Sequence, residues 1–184
     1  MKFNLLIALW IMLNPGVKDD IDKKLKESEM YLNEGRTKEY LQINKALFLE
    51  SKEISYSKGI ALSGYRLGLV LNSFGKFKES LEYLKVVEEE SYVSSDSDLK
   101  ADIYRLQGMN LKDLGLNEEA ILSHKKNLIL KLKAERLNLP MAYSNIGANF
   151  MELGRYDSAY IYCKKHLKRF NLPLLAQNRE YLPL

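Results

Sequence analysis

Residues 143–159 read Tyr-Ser-Asn-Ile-Gly-Ala-Asn-Phe-Met-Glu-Leu-Gly-Arg-Tyr-Asp-Ser-Ala. Two glycines, Gly147 and Gly154, stand seven residues apart, and a small residue, Ala159, follows the second by five. Around them Tyr143, Ile146, Phe150 and Leu153 recur at spacings of three and four, the period of one face of an α-helix. A glycine inside such a stripe costs about 1 kcal/mol against alanine. Gly147 is therefore expected where a neighbouring helix approaches closely. Gly154 falls where the stripe ends, and the left-handed conformation that closes a helix is easiest for glycine. Ala159 then sits on a second helix, at the crossing point. The stretch predicts helix, turn, helix.

The same pattern repeats upstream. Gly35, Gly75, Gly115 and Gly154 are spaced by 40, 40 and 39 residues, and Gly68, Gly108 and Gly147 by 40 and 39. Ser80 and Ala120 occupy the place of Ala159, while the first unit departs from the pattern with Ser28 and Tyr40. Apolar stripes accompany each unit: Leu67, Val70, Leu71 and Phe74 with Leu81, Leu84 and Val87; Ile103, Tyr104, Leu111 and Leu114 with Ile121, Leu122, Leu128 and Ile129; and, after the last turn, Tyr160, Ile161 and Leu167. Pro140 suits the first turn of a helix, and Ser97 or Asp98 suits an N-cap. The reading is an array over residues 18–170, in units of approximately 21–54, 55–97, 98–138 and 139–170.

Composition narrows the chemistry. The chain has 184 residues, 46% hydrophobic and 28% charged, with a net charge of +4, which excludes wholesale disorder and does not announce nucleic acid. One cysteine, Cys163, and two histidines, His124 and His166, exclude an internal disulfide framework and a multi-cysteine zinc site. No nucleophile elbow, phosphate-binding loop, zinc-helix motif or dinucleotide fingerprint occurs, so neither enzyme, metal nor cofactor is expected. Cys163 and His166 stand three apart on one helix and are read as packing residues. His124 occupies the slot of Leu84 and Cys163 and is read as a core histidine. The 12 tyrosines fall mostly on repeat positions, as packing residues. Lys164, Lys165, Lys168 and Arg169, with Lys131 and Lys133 one unit earlier, read as a solvated helix face rather than a nucleic-acid site. Asp96-Ser97-Asp98 starts like a calcium loop, but nothing follows at the later ligand positions. Glu88-Glu89-Glu90 lies near a helix C-terminus, where it opposes the dipole and favours fraying.

The two ends read separately. Residues 5–13 are nine apolar residues in a row after Lys2, followed by Asn14-Pro15-Gly16. Residues 1–17 are thus either a secretory signal, which would place the protein outside the cytoplasm, or an apolar capping segment of a cytoplasmic one. Membrane contact is expected only through this segment. Asn171-Leu172-Pro173-Leu174 repeats the opening Asn138-Leu139-Pro140-Met141, so residues 171–184 are either a capping helix or the start of a fifth repeat.

A Leu-Gly-type pair in the first helix, a glycine at the turn, an aromatic two residues later (Phe77, Tyr156; Asn117 departs) and a small residue in the second helix resemble the tetratricopeptide repeat (TPR) family. The units are longer than the usual 34 residues. The resemblance implies an all-α, TPR-type α-solenoid of antiparallel helix hairpins wound as a right-handed superhelix. It implies a non-enzymatic module that binds a protein or peptide in a concave groove. The family's groove positions fall on Tyr65, Leu69 and Asn72, then Arg105, Met109 and Lys112, then Ser144, Ala148 and Met151. Two cations in this set suit a partner of some acidic character. The two-carboxylate clamp of chaperone adaptors is disfavoured, since Tyr65 and Leu69 stand where it needs lysine and asparagine. The alternative that the resemblance offers is the sensory portion of a bacterial transcriptional regulator or signalling protein.

Overall fold

The computed structural model describes residues 16–134 and 139–169. Among these residues there are nine helices and no strand: α1 (Gly16–Asn33), α2 (Thr37–Glu53), α3 (Ser57–Ser73), α4 (Phe77–Glu88), α5 (Ser91–Ser95), α6 (Ser97–Asp113), α7 (Asn117–Lys133), α8 (Leu139–Glu152) and α9 (Tyr156–Arg169). Long helices pair as hairpins in chain order, and the chain divides into two compact units, residues 1–103 and 104–184. Gly16 and Val17 open α1; the readings of the segment before them and of residues 171–184 lie outside the described residues.

Hairpin turns are closed by the periodic glycines. Gly35, Gly75, Gly115 and Gly154 have φ of 73°, 72°, 77° and 68°. At the first, the Gly35 amide donates to the Leu32 carbonyl (3.1 Å) and the Arg36 amide to that of Tyr31 (2.7 Å). The other three glycines make the same pair of bonds, which satisfy carbonyls left free at the helix end. A fifth turn, between α2 and α3, uses this geometry without glycine. Ser55 holds φ 54°, its amide donates to Lys52 (3.2 Å), and the Tyr56 amide donates to Ser51 (2.8 Å).

Each hairpin seam is set by the second glycine series. A Cβ on Gly68 would lie 3.0 Å from Leu84 Cδ2, one on Gly108 2.5 Å from His124 Cε1, and one on Gly147 3.2 Å from Cys163 Sγ. In the first hairpin the corresponding residues are Ser28 and Asn44. The Asn44 amide donates to the Tyr40 carbonyl (2.8 Å) and to Ser28 Oγ (3.4 Å). Ser80, Ala120 and Ala159 are buried at the crossings, where the Ser80 hydroxyl also donates to the Gly68 carbonyl (2.7 Å). Gly64, outside both series, lets Phe48 of α2 and Val87 of α4 close on α3.

Several stripe residues expected in the core are not there. Phe74, Leu122, Ile129, Tyr160 and Ile161 are all more than half exposed. Helix α7 instead buries Ile121, His124, Asn127 and Leu128, because the side chain that covers the seam glycine is His124. That choice turns Leu122 and Ile129 outward by about 100° or more of helix rotation. Asp96, not Ser97 or Asp98, caps α6: its Oδ1 accepts the amides of Asp98 (3.1 Å) and Leu99 (2.9 Å). Helix α4 has 12 residues against 17 in α2 and α7 and stops at Glu88, within the acidic run. The short α5 follows, held by Ser57 Oγ, which accepts the Tyr92 amide (2.9 Å).

The first unit packs around Ile21, Leu25, Leu47 and Ile54, and around Phe48, Ile60 and Leu67. The second packs around Ile121, Leu128, Leu139, Ala142, Ile146, Phe150 and Ala159.

Candidate functional site

In the first unit, α1, α3 and the start of α6, with Tyr40 of α2, line a cleft of about 440 Å³. Its walls are Leu32, Tyr40, Leu62, Tyr65, Leu69 and Leu99, with Glu29, Asn33, Arg66 and Asp96 at the polar edge. The charged edge groups are committed to the fold. Arg66 donates to the Leu25 carbonyl (2.5 Å) and to Ser28 Oγ (3.1 Å), and pairs with Glu29. Asp96 caps α6. Burial raises the pKa of Tyr40 above the usual phenol range, so its ring enters the wall as a neutral group. The chemistry presented is aromatic and aliphatic, in the size range of a pocket for one or two side chains. Of the predicted groove residues, Tyr65 and Leu69 line this cleft; Asn72 is half-buried one turn further along α3.

In the second unit, Arg105 and Met109 are half-buried and touch, with Arg105 Nη1 3.3 Å from Met109 Sδ. Lys112 and Met151 are exposed and Ala148 is half-buried. Ser144 meets α9: its Oγ lies 2.8 Å from His166 Nδ1. Cys163 and His166 thus serve different contacts, one against Gly147 and the other against Ser144. His124 is fully buried over Gly108, with no hydrogen-bond partner at Nδ1. Burial, and secondarily the charges of Arg105 and Lys112, lower its pKa to about 4, so the ring is neutral at pH 7. Among the described residues no group of three or more His, Cys, Asp or Glu could hold a metal ion, and no helix is long and apolar enough to cross a membrane.

Solved structures share this architecture. The crystal structure of BtubC from P. vanneervenii matches with a TM-score of 0.74 at 16% identity, over 89% of this chain and 66% of that one. A MamA crystal structure matches with a TM-score of 0.66 at 19% identity, over 100% of this chain and 88% of that one. The TPR domain of Arabidopsis FLU matches with a TM-score of 0.58 at 21% identity, over 62% of this chain and 98% of that domain. The fold is that of a TPR domain. No protein-family model and no curated protein matches the sequence. In TPR terms α1, α3, α6 and α8 are first helices, and α2, α4, α7 and α9 are second helices. The cleft of the first unit opens between first helices. Sequence reasoning reached Tyr65 and Leu69 through the family's groove positions. It missed Leu32, Leu62 and Leu99, which look like ordinary stripe residues until the fold brings three helices together.

Proposed function

We propose that this chain is a non-catalytic TPR interaction module that holds a protein segment against its first helices, with the cleft of the first unit as the anchoring pocket. The observation that carries this reading is the apolar lining of that cleft, with Tyr65 and the part-exposed Leu69 at its mouth and its charged edge already neutralised internally. A bulky apolar or aromatic side chain of the partner fits such a pocket, since aromatic and aliphatic anchors dominate peptide recognition. Arg105 and Lys112 in the second unit favour acidic residues elsewhere in the same partner.

A photoreactive benzoyl-phenylalanine at position 69 tests the site in cells of the native host. The matched control is position 49, where Leu49 is exposed on the second helix α2. A partner captured from position 69 and not from 49 supports the cleft, and Leu69→Glu should then abolish its binding without lowering the melting temperature. Equal capture from both positions overturns the assignment. Arg105→Glu with Lys112→Glu should weaken an acidic partner; binding that survives the double reversal removes the acidic element of the reading.

A further inference from the structure

The exposed apolar residues of α7 and α9 form part of a repeated motif. Leu122, Lys125 and Lys126 on α7 correspond, at an offset of 39, to Ile161, Lys164 and Lys165 on α9. In the first two hairpins the same places hold Gln42, Lys45 and Ala46, then Glu82, Lys85 and Val86. Leu122 and Ile161 are 61% and 51% exposed, and Ile129 stands two turns beyond Leu122 on the same outward stripe. Lys131 and Lys133 extend α7 further, and no carboxylate occurs in residues 120–133 or 158–169.

The lysines of the two helices share one surface. Lys125 Nζ lies 5.8 Å from the Phe150 ring centre, the Phe150 and Tyr162 rings are 5.6 Å apart, and Lys165 Nζ lies 5.3 Å from the Tyr162 ring centre. Amines from α7 and α9 therefore flank a single aromatic pair donated by α8 and α9. Among the described residues, Lys125, Lys131, Lys133, Lys164 and Lys165 form no ion pair.

We propose that the outward face of α7 and α9 docks on an anionic lipid bilayer surface. Aliphatic side chains standing among lysines match the boundary between headgroups and acyl chains. There the stems of lysine lie along apolar surface while the amines reach phosphates. The described cations of this face, Lys125, Lys126, Lys133, Lys164 and Lys165, are lysines, compact and without the planar fork that selects carboxylates or base edges, which suits diffuse negative charge. Phe150 and Tyr162 are packed on each other beneath the amines and offer no open ring for stacking bases. This surface belongs to the second unit and the cleft to the first, and they share no residue, so either assignment can fail alone.

The test is co-sedimentation of the full chain with phosphatidylcholine vesicles, with and without about 30% phosphatidylglycerol. The reading is the difference between the two, because residues 5–13 could insert in both alike. The expected result is a preference for anionic vesicles that disappears as ionic strength rises from about 0.05 M to about 0.5 M. Lys125→Glu, Lys126→Glu, Lys164→Glu and Lys165→Glu together should lower anionic partitioning more than about tenfold. Leu122→Ser with Ile161→Ser should lower it several-fold, whereas Lys45→Glu with Lys85→Glu should leave it unchanged. Circular dichroism and melting check the fold of each variant; should the quadruple variant not fold, the Lys125/Lys126 and Lys164/Lys165 pairs reversed separately give the same reading. Equal binding to neutral and anionic vesicles, or a preference that survives the reversals, overturns the proposal. So does binding of a single-stranded oligonucleotide, sensitive to the same reversals, without vesicle binding.

Discussion

In the first unit, the side chains that close the hairpin seams are Asn44 and Leu84; in the second they are His124 and Cys163. The charges diverge as well. Residues 1–103 carry 15 Lys and Arg against 17 Asp and Glu, a net of −2, and residues 104–184 carry 13 against 7, a net of +6. Both units nevertheless keep the same glycine turn geometry and the same hairpin, and from the second hairpin on a small residue, Ser80, Ala120 or Ala159, at the crossing. The repeat thus constrains backbone approach and helix termination tightly, while the seam filler and the outward surface remain open to variation. Stability in such an array is a sum over hairpins and their neighbours, so a local change in one seam should stay local in its chemistry and yet be read in melting.

The largest effect should come from Gly108, the tightest of the three seam glycines. Gly108→Leu places a side chain where a Cβ alone would lie 2.5–2.7 Å from three atoms of the rigid His124 ring, and should cost about 3 kcal/mol or more. Gly147→Ala meets Cys163 Sγ at 3.2 Å, a contact that a small shift relieves. The gain of about 1 kcal/mol in helix propensity should then leave it near neutral. Thermal melting of the two variants checks the ordering; equal losses would mean that the seams do not differ as described.

Next comes pH. His124 has a folded pKa near 4, below the ordinary value of 6.5, so the unfolded chain binds the extra proton more readily. Stability is undiminished by this residue above about pH 6.5 and falls as pH drops from there to about 4, by up to about 3 kcal/mol. His124→Leu, which copies the Leu84 seam of the first unit, should remove that part of the pH dependence. Chemical denaturation at pH 7 and pH 4.5 measures it. A wild-type difference that the variant retains in full would place the titrating group elsewhere.

These contrasts also mark what was legible in the sequence. The turn glycines and seam glycines were readable because their requirement is backbone geometry, and no other residue meets it at equal cost. Leu122, Ile129, Tyr160 and Ile161 were misassigned to the core because hydrophobicity was taken as a proxy for facing inward. In α7 the inward positions include His124 and Asn127, which a hydrophobic stripe does not recognise. Asp96 was missed as a cap because three adjacent polar residues offered themselves and only the backbone path selects one. The cleft was half legible: Tyr65 and Leu69 followed from position in the repeat, but Leu99 reaches it from a later helix, α6.

A smaller effect concerns Arg66, whose register equivalents in the second unit are the uncharged Leu106 and Asn145. Its side chain is only 14% exposed and serves the Leu25 carbonyl and Ser28 Oγ, whereas its partner Glu29 is 61% exposed. Arg66→Met should therefore cost about 2 kcal/mol through the loss of its charge-assisted bonds to the Leu25 carbonyl and Ser28 Oγ. Glu29→Gln should cost less than about 0.5 kcal/mol, as expected for an exposed ion-pair partner. Similar losses in both, by denaturant titration, would show that the ion pair and not the buried acceptors holds α1 to α3.

The smallest predicted effect is a gain, and it probes the turn of the first unit that takes the left-handed geometry without glycine. Ser55 adopts φ 54° with the same pair of helix-closing bonds that glycine supports at the other four turns. A residue with a Cβ is strained there by about 1 kcal/mol, and glycine relieves this while losing more backbone freedom on folding. Ser55→Gly should therefore stabilise the chain by about 0.5 kcal/mol, and Ser55→Val, β-branched at positive φ, should destabilise it by more than that. Denaturant midpoints for the pair, referred to Gly75→Ala as the reverse exchange at a true glycine turn, separate the two contributions. If Ser55→Gly is neutral and Gly75→Ala costs about 1 kcal/mol, the left-handed turn after α2 is compensated by its setting, with Gly59 admitting Ser51 and Tyr56 against α3.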